Sequence, residues 1–306
     1  MDGRVLIAGG SGLIGRALAG ELAGAGVEVV VLSRAARPAG SWPPAVRFAA
    51  WDGRTSAGWG PECEGAGAVV NLAGENLAAG RWSAARKRRL ATSRLEPTRA
   101  LVEAVAAARR RPAVFVQASG VSLYDPRSEA VADESTPAAT GFLAGLVLAW
   151  EGASAPVEEL GVRRVVLRSG VVLARQGGAL PRMLPPFRLG LGAALGDGRQ
   201  AFPWIHLADE VGAIRFLLER AELAGAFNLV APGTADNAGF SRALARALGR
   251  PCRLRVPGAL LRLALGEMAD VLLTGPRVAP RRLLEAGYRF RFAALASALA
   301  DLVGHR

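Results

Sequence analysis

Gly9-Gly10-Ser11-Gly12-Leu13-Ile14-Gly15 stands between a short apolar run, Val5 to Ala8, and a helical pattern that puts Ile14, Leu18 and Leu22 on one stripe and stops at Gly26. That placement between a strand and a helix turns a weak glycine pattern into a dinucleotide fingerprint. Gly9 allows the tight turn, Gly12 the close approach of backbone to a pyrophosphate, and Gly15 close packing of helix on strand. The turn Gly9 and Gly10 leads into Ser11, Gly12, Leu13 and Ile14, where a helix N-terminus offers unbonded N–H groups and a positive dipole end to phosphate. A glycine-rich turn without a ligand is the plainer alternative.

The end of the second strand selects the nucleotide. An NAD site carries Asp or Glu there, about 20 residues after the motif, for the ribose hydroxyls. Here the strand ends Leu32-Ser33-Arg34, with Arg37 close behind. A hydroxyl and guanidiniums suit a 2′-phosphate, so NADP is the expected cofactor. Surface arginines in an arginine-rich chain are the alternative for Arg34 and Arg37.

Outward from the fingerprint, apolar runs alternate with longer helical patterns. The expected strands are Val5 to Ala8, Glu28 to Leu32, Val46 to Ala50, Ala68 to Leu72, Ala113 to Ala118, Arg164 to Leu167 and Phe227 to Val230. This alternation predicts an α/β fold, a Rossmann-type doubly wound parallel sheet. Residues 177–202 are rich in glycine and proline, too irregular for regular elements and too apolar for a disordered linker. They are read as an ordered loop covering a ligand site at the carboxyl edge of the sheet. Helical patterns follow at Ala238 to Leu248 and Gly258 to Leu273, then a basic-aromatic stretch, Tyr288 to Phe292, and a last helix. The expected division is a Rossmann domain at 1–235 and a small, mostly helical C-terminal subdomain at 251–302.

Of the 306 residues 51 % are hydrophobic, enough for one large core. The net charge of +12 comes almost wholly from arginine, since Lys87 is the only lysine, and reads as compositional bias. The densest basic run, Arg81 to Arg94, offers a nucleic-acid surface or a solvated helix face, and the second is preferred. Cys63 and Cys252 have neither disulfide nor zinc spacing, so no metal site is expected. The N-terminal apolar run is broken by glycines and Arg16, and Gly258 to Thr274 contains Arg262, Glu267 and Asp270. A cytoplasmic protein without membrane or nucleic-acid partners is expected.

Further motifs narrow the reading. They are Val70-Asn71-Leu72-Ala73-Gly74-Glu75-Asn76, Arg81-Trp82, Ser93-Arg94-Leu95-Glu96-Pro97-Thr98-Arg99, Leu167-Arg168-Ser169-Gly170-Val171-Val172-Leu173, the run Pro185 to Gly192, and Trp204-Ile205-His206. From Gly9 to about Leu302 the chain resembles the epimerase-like branch of the atypical short-chain dehydrogenases, often labelled nucleoside-diphosphate-sugar epimerase-like or cell-division inhibitor. The resemblance implies an NADP-binding Rossmann fold of the extended short-chain dehydrogenase type, with a substrate cleft. It implies that Ser33 and Arg34 hold the 2′-phosphate, that Leu72 and Ala73 line the adenosine and ribose through the backbone, and that Gly74 lies with them at the cofactor. Arg94 would reach the cofactor from the helix after the fourth strand, and Val171 would meet the nicotinamide end. Leu72, Ala73 and Val171 serve equally as sheet core. Glu75, Arg81 and Trp82 are expected in a cleft loop, or Glu75 and Arg81 as a buried salt bridge.

Short-chain dehydrogenases activate a tyrosine with a lysine four residues later, because a phenol of pKa about 10 is a poor proton carrier at neutral pH. That pair is absent. The only tyrosines, Tyr124 and Tyr288, are followed at that spacing by Ser128 and Phe292. The helix expected to carry the pair reads Phe142-Leu143-Ala144-Gly145-Leu146-Val147-Leu148-Ala149-Trp150-Glu151, where relatives commonly keep polar residues or a cysteine. What remains as candidate catalytic machinery is Ser119 at the end of the fifth strand and Tyr124 just beyond it. Ser119 could instead bond its own backbone, and Tyr124 needs an arginine or the nicotinamide charge to lower its pKa. His206 is a titratable candidate or, preferred, a helix entry with Asp209 as anchor. Two functions fit: an NADP-dependent oxidoreductase or epimerase acting on a small molecule, and a non-catalytic NADPH-sensing protein.

Overall fold

A computed structural model describes residues 3–35 and 39–304, so Arg37 lies outside the described residues. Eleven strands are described: β1 Val5–Ala8, β2 Val29–Ser33, β3 Val46–Ala50, β4 Ala68–Asn71, β5 Val114–Gly120, β6 Arg163–Ser169, β7 Val171–Leu173, β8 Gly192–Leu195, β9 Trp204–His206, β10 Gly225–Leu229 and β11 Cys252–Val256. The helices are α1 Leu13–Gly24, α2 Ala84–Ala107, α3 Phe142–Ala153, α4 Pro156–Glu159, α5 Leu180–Arg188, α6 Leu207–Glu219, α7 Asn237–Ala247, α8 Gly258–Leu265, α9 Asp270–Leu273, α10 Arg281–Glu285 and α11 Leu295–Val303.

Seven strands form one parallel sheet in the order β10-β6-β5-β4-β1-β2-β3. β1, β2 and β4 are buried throughout, as strands covered by helices on both faces must be. One face packs Val5, Ile7, Val29, Val31 and Val70 against Leu18 and Leu22 of α1 and Val211 and Ile214 of α6. The other packs Leu6, Val30, Val69 and Phe115 against Leu101 and Val105 of α2 and Trp59. The chain leaves β1 in one direction for β2 and β3, and in the other for β4, β5 and β6. The carboxyl ends of β1 and β4 therefore flank the crevice where doubly wound folds bind ligands.

Residues 177–202 depart from the expected irregular loop. They contain α5 and β8, and β8 pairs in parallel with β11 to form a separate two-stranded sheet. Pro181 lies at the start of α5, where its missing N–H costs nothing, while Pro185 and Pro186 continue the helix. The expected helix from Gly258 to Leu273 is also interrupted. Gly266, with φ of 62°, ends α8, and a 3₁₀ turn, Gly266–Ala269, leads into α9. Among the described residues no helix is long and apolar enough to cross a membrane.

The exposed edge of the large sheet at β10 is covered by side chains. The Asn228 N–H donates to Glu134 Oε1 (2.9 Å), and the Arg282 guanidinium donates to the carbonyls of Ala226 (2.7 Å) and Ala224 (2.8 Å).

Candidate functional site

The fingerprint turn sits at the crevice. Gly9 has φ of 73°, and a Cβ there would lie 2.5 Å from the Leu72 carbonyl oxygen, so the β1 turn and the end of β4 touch backbone to backbone. Gly15 is closed in the same way: its Cβ would lie 2.5 Å from the Gly9 carbonyl oxygen. Gly12 differs. It is exposed, and the one atom near an added Cβ is the Gly9 carbonyl oxygen at 3.2 Å. Protein packing explains Gly9 and Gly15, whereas the space above Gly12 is open. Gly12 also caps α1 without any side-chain hydrogen bond, and the first turn carries no acidic residue. This helix end is left open for a polyanion, and the turn fits a pyrophosphate.

Around this turn, Ser11 is exposed while Gly10 is buried against Val31, and Leu13 and Ile14 are half-buried. A Cβ on Gly178 would come 2.9 Å from a Leu13 methyl, so the start of the 177–202 segment crosses the head of α1. Ser33 ends β2 buried, and its Oγ accepts from the Ala35 N–H (3.2 Å), which leaves its own O–H proton uncommitted by that bond. Arg34 is exposed. Leu72 and Ala73 are half-buried just past β4, and Val171 is half-buried in β7, paired with Trp204 rather than placed in the large sheet.

Arg94 is buried and turns toward its own loop. It donates to the carbonyls of Leu90 (3.0 Å) and Glu75 (3.0 Å), and its guanidinium lies 5.0 Å from the Trp150 ring centroid. Burial pulls its pKa down to about 10. Gly74 packs directly on it, since a Cβ there would lie 3.3 Å from Arg94 Cζ. Arg94 thus shapes the loop along the crevice. The alternative of a buried Glu75–Arg81 pair is corrected: Glu75 pairs with Arg86, which is itself buried, while Arg81 lies beside Gly266. Of the basic run 81–94, Arg86 and Arg94 turn inward while Arg81, Arg88 and Arg89 are exposed.

The two candidate catalytic residues sit at the carboxyl end of β5 in one polar network. Ser119 Oγ donates to Glu151 Oε1 (2.5 Å), and Arg168 grips the same carboxylate through Nε (2.9 Å) and Nη2 (3.0 Å). Arg168 Nη1 also donates to Tyr124 Oη (3.0 Å), and Tyr124 donates to Asn228 Oδ1 (2.7 Å). Tyr124 is 1 % exposed. Burial raises its pKa, outweighing the hydrogen bond and positive charge of Arg168. The arginine that sequence reasoning required is therefore present, but the phenol is sealed in the core and held in its protonated form. Ser119 bonds a side chain rather than its own backbone, and its one proton is committed to a charged acceptor.

Ser122, which the sequence reading did not single out, is half-buried on the 3₁₀ turn Val121–Leu123 that directly follows β5. His206 caps α6, its Nδ1 accepting from the Ala208 N–H (3.0 Å), and burial lowers its pKa. Asp209 anchors the C-terminal segment by accepting from the N–H groups of Arg291 (2.7 Å) and Phe292 (2.8 Å) and from Tyr288 Oη (3.0 Å to its carbonyl). Among the described residues no group of three or more His, Cys, Asp or Glu is placed to hold a metal.

Comparison with known proteins identifies the family. The profile of the NAD dependent epimerase/dehydratase family matches residues 5–230, and that of a domain of unknown function (DUF1731) matches residues 256–302. The epimerase family protein SDR39U1 of Bos taurus is 43 % identical over 305 residues, covering 98 % of this chain and 99 % of its own. The epimerase family protein YfhF of Bacillus subtilis is 33 % identical over 305 residues, covering 99 % and 98 %. The crystal structure of human epimerase family protein SDR39U1 (isoform2) with NADPH superimposes with a TM-score of 0.88 at 39 % identity, covering 98 % of this chain and 99 % of that one. This chain therefore belongs to the NAD-dependent epimerase/dehydratase family, within its atypical short-chain dehydrogenase, epimerase-like branch.

Proposed function

We propose that this chain binds NADP(H) across the β1–β4 crevice and uses it in oxidoreduction of a small molecule. The observation that carries the reading is the end of β2, where Ser33 and Arg34 stand in place of the carboxylate an NAD site needs, beside a glycine turn open above Gly12. The human relative solved with NADPH supports it. Leu13 and Ile14 at the head of α1 would receive the pyrophosphate, Ser33 and Arg34 the 2′-phosphate, and Leu72, Ala73 and Gly74 the adenosine half. Bound NADPH supplies hydride chemistry; the protein supplies orientation and exclusion of water. With no Tyr-Lys pair, and with Tyr124 sealed, the chain lacks the acid that reduction of an ordinary carbonyl demands. An activated carbonyl is the fitting substrate. The same sealed network favours the second reading, a sensor of the NADPH/NADP balance without turnover.

Calorimetric titration tests the cofactor. NADPH should bind at least about tenfold more tightly than NADH, because charge-assisted hydrogen bonds to the phosphate contribute on the order of 1.5–3 kcal/mol. Arg34→Ala should remove most of that preference and leave NADH binding unchanged. Equal affinities in the native protein would overturn the assignment.

A further inference from the structure

Three hydroxyl groups cluster at and just after the carboxyl end of β5: Ser119, Ser122 and Tyr124. Two are already spent, Ser119 on the Arg168-bound carboxylate of Glu151 and Tyr124 on Asn228 in a site closed to solvent. A hydroxyl carries one proton, so neither can donate to a bound molecule without giving up a charged or buried partner. Ser122 is different. It is half-buried, and among the described residues its Oγ has no hydrogen-bond partner. Gly120 keeps the ground beside it clear, since a Cβ there would lie 3.6 Å from that Oγ.

One wall of the turn that carries Ser122 is apolar. α3 packs on the turn that carries it, and from Phe142 to Trp150 that helix holds no acid, base or hydroxyl. At its first turn Phe142 meets Trp82 edge to face, with ring centroids 5.4 Å apart, and Lys87 Nζ, paired with Glu267, lies 4.8 Å from the Phe142 ring centroid, so two aromatic rings and one ion-paired cation gather at that end of α3. One neutral hydrogen-bond donor beside an apolar helix face, with the cation at the aromatic end already paired, is a poor place to make an alkoxide and a better place to make a delocalised anion.

Resting on the NADP(H) reading above, we infer that Ser122 holds the substrate oxygen and that the substrate is an apolar conjugated carbonyl, of the quinone class. In the reaction a C–H bond of bound NADPH breaks, its hydrogen passes with two electrons to the acceptor, and NADPH is oxidised as the acceptor is reduced. The remaining proton comes from water, so quinone, NADPH and one proton give hydroquinone and NADP⁺. The anion that forms is phenolate-like, with a conjugate-acid pKa of about 10, so it takes its proton from solvent without a dedicated acid. Ser122 keeps its proton throughout and donates one hydrogen bond to the oxygen where charge develops.

Menadione, a planar naphthoquinone, is the probe. Titrated into the NADP⁺-loaded protein, it should quench tryptophan fluorescence saturably. Ser122→Ala should weaken that binding about three- to tenfold, the effect of one neutral hydrogen bond, with NADPH affinity unchanged. Ser122→Thr should restore it to within about twofold, and kcat/KM for menadione reduction should fall in Ser122→Ala by at least the same factor. Saturable quenching that Ser122→Ala leaves untouched overturns the role of Ser122. Lack of saturable quenching in a protein that binds NADPH overturns the substrate class alone, whereas failure to bind NADPH overturns the cofactor reading beneath it.

Discussion

Glu210, in the first turn of α6, is 1 % exposed; its Oε1 accepts from Ser169 Oγ (2.6 Å) and its Oε2 meets no donor. Burial pushes its pKa up from 4.5 to about 8, only partly offset by the Ser169 bond. Between those values the folded protein holds a proton that the unfolded chain has released, so this group's contribution to stability is full below pH 4.5 and is lost as pH rises toward 8. Glu210→Gln removes that dependence. The melting temperature of the variant should gain on the native protein from pH 5 to pH 8, by the equivalent of about 1–3 kcal/mol. Parallel melting curves across that range would show that Glu210 is not held neutral. At this scale the sequence was legible where position depends on near neighbours: the fingerprint glycines and Ser33-Arg34 lie at the carboxyl ends of β1 and β2, and the structure pairs those strands side by side in parallel. The fates of Ser119 and Tyr124 were not legible, because their partners Glu151 and Asn228 lie 32 and 104 residues away.

In α1 and its entry turn, two glycines that look alike in sequence have opposite uses. Gly15→Ala drives a methyl into the backbone of Gly9 and Gly10, which cannot rotate away, and should cost about 1–3 kcal/mol of stability. Gly12→Val has an allowed backbone, φ of −75° and ψ of 178°, and meets little protein. It should melt within a few degrees of the native protein yet lose NADPH binding. Circular dichroism and calorimetry on the pair separate the two cases, and retained binding in Gly12→Val would make the turn purely structural. Strands of the large sheet were readable to within two residues, since buried parallel strands are continuous apolar runs bounded by turns. The shorter β7 and β9, of three residues each, leave too little pattern to detect. α5 escaped notice because three prolines in nine residues resemble a loop, and they are tolerated where the helix is short.

Across the whole molecule the C-terminal segment is fastened by one carboxylate. Asp209 is 1 % exposed and receives the N–H groups of Arg291 and Phe292, while α11 packs with α7, Trp204 and Leu180 in a shared core. Asp209→Ala strands both amides in the interior and should destabilise the fold by about 3 kcal/mol. The cost should appear as a lower urea midpoint, with hydrogen exchange accelerated first in residues 288–302. An unchanged midpoint would mean that apolar packing alone holds that segment. Lys87 and Glu267 add a second tie between α2 and the turn before α9 (2.6 Å), but both are partly exposed and contribute little. The cover over β10 also governs how molecules meet one another. An open strand edge is a template on which a second chain can lay its own backbone, and such pairing is the first step toward ordered aggregates. With the Asn228 amide and the carbonyls of Ala224 and Ala226 already answered by Glu134 and Arg282, that template is blocked, and contact between copies at this margin is left to charged side chains that water can readily part.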